Sequence, residues 1–353
     1  MYNIRSCVNS FSFPVSMEYL NMFDPRRVHC PDCDDSISRR DFVKVLGGTA
    51  AVAGALPLLA MPPAAQAAPT AKSTAETTVK QFYGTITDAQ KKEICFGFDH
   101  PKRKTLNANW AITKPNIGGD FYTDEQRQLI DQILREVSSE DGYGRFRRQM
   151  KEDKSGGFGA YHVAVFGEPG SGKFEWVLTA RHLTMRADGD SVENMAFGGP
   201  IVYGHGKSDP AKNVFHYQTK KANEVFAALD SKQREVALLP KAPPEGRVPI
   251  KGAGAKFPGI AVGELSADQQ ELVEQAIKVM LAPYRTEDVD EALSVLKQGG
   301  GLKTLHLAFY EQGDLKSDNV WDIWRMEGPN FVWHFRGAPH VHTYVNIGLK
   351  QDS

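Results

Sequence analysis

The chain has 353 residues, 41% of them hydrophobic and 10% aromatic, with 42 basic and 43 acidic side chains that leave a formal charge of −1. That hydrophobic content with so little net charge excludes a disordered chain, and the near balance of signs excludes a basic nucleic-acid binder. A chain this long can bury a substantial core without disulfide scaffolding, as one large domain or two ordinary ones.

The front of the chain departs from the average. No charged residue falls between Val45 and Ala71, and the stretch is mostly Ala, Leu, Val and Gly, interrupted by prolines that include those at 57, 62 and 63. A bilayer span needs about 20 consecutive apolar residues without breakers, so this run is not a stable membrane anchor. Ser38-Arg39-Arg40-Asp41-Phe42-Val43-Lys44 precedes it and resembles the twin-arginine export signal S-R-R-x-F-x-K. Ala65-Gln66-Ala67 then supplies a small-x-small cleavage pattern. Residues 1–67 are expected to be a twin-arginine signal peptide, recognised by the twin-arginine translocase and removed. The mature chain would be periplasmic or extracellular. The leader holds six basic and six acidic residues, so its loss leaves the charge unchanged. Cys7, Cys30 and Cys33 leave with it, Cys95 remains, and no intramolecular disulfide can form. Cys30-Pro31-Asp32-Cys33 has no second ligand pair at zinc spacing and reads as accidental.

The remaining residues, 68–353, are expected to form a single α+β domain. Four sites share a helix-start pattern: Thr87 to Gln90, Thr123 to Gln126, Asp230 to Gln233 and Ser266 to Gln269. Each places an N-cap oxygen three residues before a Gln, with Ile86, Tyr122, Leu229 or Leu265 just outside, the arrangement of a capping box. Leu129, Ile130, Ile133, Leu134 and Val137 then share one helical face. Further helices are predicted over 211–229 and 287–297. Between the helical blocks the period switches to two, predicting strands over 160–168, 174–186 and 191–204, then 303–311, 319–327, 330–336 and 340–347. The order helices, strands, helices, strands predicts two blocks, residues 72–204 and 211–349, with antiparallel meanders packed as one pseudo-duplicated unit. The Pro/Gly/Lys-rich stretch 241–259 reads as a long surface loop.

Gly167-Glu-Pro-Gly-Ser-Gly-Lys173 imitates a phosphate-binding loop. Phe174 stands where a Mg²⁺-binding Ser or Thr is needed, and the alternating segment that follows is a strand where a helix is required. The motif is read as a hairpin turn, and no nucleotide cofactor is expected.

The histidines carry the functional signal. In His340-Val341-His342, residues two apart in a strand project from one face, so both imidazoles can reach one ion. His182 is placed on a central strand, on the face of Trp176, Leu178 and Ala180, where a buried imidazole needs a partner. Three neutral imidazoles with an open position suit Cu, Fe or Zn. His162, His306 and His334 read as core or supporting groups, and His205 as a weaker candidate in a Gly-rich loop. Arg325 and Glu327 fall on one strand face with Trp321 and Ile323 and are expected to be a partly buried pair that orients ligands or substrate. Trp176, Trp321, Trp324 and Trp333 read as core.

Together His182-Leu-Thr, Phe197-Gly-Gly-Pro200, Trp324-Arg-Met-Glu-Gly-Pro329 and His340-Val-His342 resemble the bacterial, twin-arginine-exported family named domain of unknown function thirty-five hundred, over about residues 80–345. The resemblance implies no activity. Many members resemble G-H-H-L-S at the first motif, where this chain has Ala180-Arg-His-Leu-Thr184. They also continue after H-x-H with an Arg-Asp-Pro segment, replaced here by Thr343-Tyr-Val-Asn-Ile. The histidines left in common are His182, His340 and His342.

These residues lead to an exported metalloprotein holding one transition metal ion on His182, His340 and His342, a Cu- or Fe-dependent oxidoreductase acting on a small molecule. The alternatives are a non-catalytic envelope-associated or binding protein with structural histidines, and a Zn-dependent hydrolase.

Overall fold

The computed structural model describes residues 68–315 and 320–350. The leader expected over 1–67 lies outside them. The described chain opens with helix α1 (Thr74–Thr85) and enters α2 (Asp88–Ile94) through a capping box at Thr87. Strand β1 (Cys95–Phe96) follows, then α3 (Asp124–Glu136), α4 (Glu140–Asp153) and strands β2 (His162–Gly167), β3 (Phe174–Ala180), β4 (Leu183–Ala187) and β5 (Ile201–His205). The chain then gives α5 (His216–Ala228), α6 (Ser231–Ala237), β6 (Leu238–Leu239), β7 (Ile260–Ala261), α7 (Ala267–Leu281) and α8 (Thr286–Gln298). It closes with β8 (His306–Tyr310), β9 (Ile323–Gly328), β10 (Phe331–Arg336) and β11 (Val341–Ile347). All four Gln-containing patterns form complete capping boxes.

The same glutamines also tie helices together. Gln90 and Gln126 exchange side-chain amide hydrogen bonds across 36 residues of sequence, and Gln233 and Gln269 do the same across 36. Gln126 also donates to the Thr85 carbonyl and Gln269 to the Ala228 carbonyl, each 41 residues away. One glutamine thus satisfies both its own helix start and the end of a neighbouring helix, which a Leu or Glu could not do.

The eleven strands make one mixed sheet, ten of them in the order β1-β2-β3-β4-β5-β11-β10-β9-β8-β6, with β7 pairing β8 off this path. β2 to β5 and β8 to β11 are antiparallel meanders, while β1 on β2 and β6 on β8 are parallel. The two meanders meet at β5 and β11, with Val341 opposite His205 and His342 opposite Gly204.

The faces of this sheet differ. Trp176, Leu178, Leu183, Tyr203, Trp324, Trp333 and Val341 join helix residues such as Phe82, Ile130, Phe146, Val225 and Val273 in the main core. The opposite face carries Glu175, Arg186, Arg325, Glu327, His334, Arg336 and His342, by the alternation of the pleat and the register of the pairs. Segments around 103–113 and 245–251 cover it. Arg186 donates to the Arg103 and Thr105 carbonyls, Arg325 to the Arg247 carbonyl, and Asn346 to the Val248 carbonyl at 2.8 Å. Trp176, Trp324 and Trp333 are fully buried, and Trp321 packs against the same core.

Three sequence expectations change. The strand expected over 174–186 is two strands, because Arg181 and His182 form a two-residue turn and His182 has φ 59°. The region expected as a strand over 191–204 is extended only at Ile201–His205; a 3-10 turn at Ala196–Gly198 holds Phe197 at φ 61°. Helices α1 and α4 lie outside the segments that the capping pattern and periodicity predict as helical. Gly142 and Gly144 lower the helix propensity of α4, but Gly142 lets that helix approach Pro283 where a Cβ could not fit. Gly167 to Lys173 is a hairpin turn between β2 and β3, with Gly167 at φ 70° and Gly170 at φ 95°. That is the conformation glycine adopts without steric cost.

Candidate metal centre

His182, His340 and His342 converge. One ring nitrogen from each lies within 4.8 Å of the other two, and the ring centroids are 4.8 to 5.0 Å apart. His182 arrives through the β3–β4 turn, whose left-handed residue would be more comfortable as Gly or Asn. Its N–H is held by the Ala108 carbonyl at 2.6 Å. The turn swings the ring off the β3 face of Trp176, Leu178 and Ala180, where the pleat alone would have put it, and toward β11. His342 lies at the start of β11 and His340 in the bend just before it, with the expected two-residue spacing.

Carboxylates orient two of the rings. His182 Nδ1 lies 2.6 Å from Asp153 Oδ2, and His342 Nδ1 lies 3.0 Å from Glu245 Oε1. An ionised carboxylate only accepts, so both Nδ1 atoms carry a proton, and in the neutral ring the lone pair is then on Nε2. His342 Nε2 faces His340 Nε2 at 3.0 Å. Two imidazole lone pairs aimed at one another at that distance leave one ring to donate or a cation to lie between them. The carboxylate–imidazole pairing is the support that metal-ligating histidines ordinarily have. The donor set, all imidazole nitrogen, fits Cu, Fe or Zn and suits Mg²⁺ or Ca²⁺ poorly.

Asp153 ends helix α4. Gln149, four residues earlier on the same face, donates to it at 2.8 Å, and the Gly206 N–H donates at 2.7 Å. These bonds and the one from His182 outweigh burial and hold its carboxyl below the ordinary range. Glu245 is lowered too: burial opposes, while the bond to His342 and the charge of Arg336 prevail. Burial and the neighbouring imidazoles press His340 down to about 4, and burial lowers His342 despite Glu245. Both are therefore neutral at physiological pH and competent to ligate.

The other histidines have different partners. His205, at the end of β5, accepts the Val214 N–H on Nδ1 and points Nε2 at Glu152 Oε2, 3.1 Å away. His162 meets the Pro115 carbonyl, and His334 is buried beside Arg325, which with desolvation pushes it down to about 3. Arg325 and Glu327 form a buried pair at 3.7 Å on the polar sheet face, and Lys251 completes it at 2.8 Å from Glu327. Neither hydrogen-bonds one of the three imidazoles. That role belongs to Asp153 and Glu245, which left no sequence signal: one sits at the end of an unanticipated helix, the other in the Pro/Gly-rich loop. A basic cleft of about 940 Å³, lined by Arg148, Lys151, Glu152 and Lys154 among others, lies at the end of α4. None of the three imidazoles lines it, so cleft and cluster are separate features.

Fold and cluster together define an α+β protein with a carboxylate-supported three-imidazole site. The chain belongs to the family described as Protein of unknown function (DUF3500), whose model matches residues 68–347. No curated protein and no solved structure matches the chain.

Proposed function

We propose that the protein is an exported metalloprotein in which His182, His340 and His342 hold one transition metal ion, used as a Cu- or Fe-dependent oxidoreductase on a small-molecule substrate. The observation that carries this reading is the convergence of three imidazoles, two of them held at Nδ1 by carboxylates, with His342 Nε2 facing His340. Three protein ligands leave a position open for substrate or oxygen, and Cu or Fe there supplies electron transfer. The chain's own part is to hold the rings neutral and oriented. The two carboxylates beside the cluster are both committed to imidazoles, which favours this reading over hydrolysis assisted by a carboxylate base.

Elemental analysis of protein purified after native export tests the proposal. One equivalent of Cu or Fe, lost in both His182→Ala and His340→Ala, is the expected result. Zinc in the same ratio would reassign the site to hydrolysis, and no metal in the wild type would leave the histidines structural, as in a binding or envelope-associated protein. Export through the twin-arginine translocase rests on Ser38 to Lys44, and the family match begins at residue 68, where cleavage after Ala67 would start the mature chain. Replacing Arg39 and Arg40 by Lys should retain the precursor in the cytoplasm.

The chain also reads as two copies of one unit, α1 to β5 and α5 to β11. In its favour stand the equal spacings of the two glutamine pairs and the mirrored strand order about β5 and β11. In this scheme the turn Arg181-His182 corresponds to Pro329-Asn330 between β9 and β10, so Asn330 takes the place of His182. Its amide donates to the Val295 carbonyl, and the second unit carries no matching imidazole there.

A further inference from the structure

Two arginines stand beside the imidazoles. Arg181 precedes His182 in the β3–β4 turn. A methyl group placed on Gly206 would sit 3.5 Å from Arg181 Nη2 and 3.2 Å from His182 Cε1, so guanidinium and ring border the same small space. Arg336 lies directly across from His342 on the neighbouring strand, and its Nε is 3.1 Å from the free oxygen of Glu245, the carboxylate that orients His342. Both cations contribute to depressing His340, which places them within electrostatic reach of the most exposed ring of the three.

Their hydrogen-bonding capacity is not used up. Arg181 Nε and Arg336 Nη2 are buried atoms without a hydrogen-bond partner, and among the described residues Arg181 has no ion-pair partner. Buried guanidinium N–H groups ordinarily find acceptors, so unfilled ones on two arginines at one site call for an acceptor from outside the chain. The charge count agrees. Asp153 and Glu245 offset the two guanidiniums, so a divalent ion on three neutral rings leaves the site with a net positive charge. An anion relieves that charge, and a planar guanidinium matches a carboxylate through two parallel bonds.

We propose that Arg181 and Arg336 form an oxyanion subsite beside the three imidazoles and that the small molecule handled there carries a carboxylate. This rests on the metal-site reading for the position of the reacting group but not for the binding of the anion itself. The subsite would bring a carboxylate-bearing molecule to the open side of His340.

The test uses the full mature protein, metal-free and loaded with cobalt(II) as a spectroscopic probe. Acetate, inorganic phosphate and neutral acetamide are titrated by calorimetry into both forms, and the visible cobalt spectrum is followed in the loaded form. Acetate should bind at millimolar concentration or tighter and perturb the spectrum, and acetamide should do neither. Arg181→Gln and Arg336→Gln should each raise the acetate Kd at least tenfold while keeping one cobalt per chain, and Arg336→Lys should recover part of the loss. Tighter binding of phosphate than acetate would overturn the carboxylate assignment. Acetate affinity equal in wild type and both Gln variants, or matched by acetamide, would overturn the subsite. If cobalt fails to bind but acetate binding still depends on the arginines, the metal reading falls and the subsite stands. Cobalt bound at one equivalent with arginine-independent acetate binding gives the reverse. Unchanged circular dichroism in the Lys variant controls for misfolding.

Discussion

Asp153→Asn isolates the role of a single charge behind the imidazole cluster. Asp153 Oδ2 accepts from His182 Nδ1 at 2.6 Å and Gln149 Nε2 at 2.8 Å, while Oδ1 accepts the Gly206 N–H at 2.7 Å. Asparagine has the same shape but one acceptor oxygen. If its NH₂ turns toward Gly206, two donors oppose each other and a buried backbone N–H loses its partner. If it turns toward His182, the ring must accept on Nδ1, and its proton moves to Nε2, the nitrogen that faces the other rings. A protonated Nε2 cannot ligate, so the second outcome removes a ligand atom, while the first keeps the tautomer but loses the carboxylate charge behind the ring. Loss of such a supporting carboxylate typically weakens metal binding by about 10- to 100-fold, or about 1.4–2.7 kcal/mol. The buried hydrogen bonds add a stability cost on the order of 1–3 kcal/mol. Competition against a chelating dye measures the first, and thermal unfolding of the metal-free protein measures the second. Metal affinity within a factor of two of wild type, in a variant that keeps its fold, would refute the claim that Asp153 sets the tautomer of His182.

Other outcomes follow from the same geometry. Gly206→Ala puts a methyl 2.7 Å from Asp153 Oδ1 and 3.2 Å from the His182 ring, so metal affinity should fall at least about tenfold by the same dye competition, more than the drop in Tm alone would predict. Gln126→Ala removes a buried amide that serves a helix start, the Thr85 carbonyl and Gln90, and should cost roughly 2–3 kcal/mol in urea unfolding. Gln269→Ala, at the more exposed equivalent, should cost less than about half of that. Asp188 is buried, and desolvation, helped by nearby Glu175 and Glu76, raises its carboxyl to about 7. A raised folded value means the unfolded chain ionises first as pH rises from about 4, so the fold loses stability up to about pH 7. Asp188→Asn keeps an acceptor for the Val192 N–H and should raise Tm at pH 8 but not at pH 4; an equal change at both would refute the assignment. His334 has the opposite sign. With its folded value near 3, below the ordinary 6.5, stability is lost as pH falls between those values, and His334→Gln should flatten that acid limb in a Tm–pH series.

Much of the local structure is legible in the chain itself because its causes lie within a few residues. Thr87, Thr123, Asp230 and Ser266 cap helices through a Gln three positions on, and the two-residue period of 306–310 and 331–336 marks strands whose alternate side chains are core. The spacing in His340-Val341-His342 suffices to turn both rings one way. Its limit shows at His182. A continuous strand would point that ring into the hydrophobic layer with Trp176, and only the turn at φ 59° sends it toward His340, 158 residues later in sequence. Strand order is a property of the whole sheet, and nothing near His182 says that β5 will lie between β4 and β11. Asp153 and Glu245 illustrate the same divide. A carboxylate becomes the partner of an imidazole through position and burial, both supplied by α4 and the 241–259 loop packing onto the sheet. The chain alone determined which residue types could ligate and where helices begin. The tertiary structure decided which histidines meet, which carboxylates hold them, and which arginines are left with unfilled donors, because those outcomes depend on contacts between segments far apart in sequence.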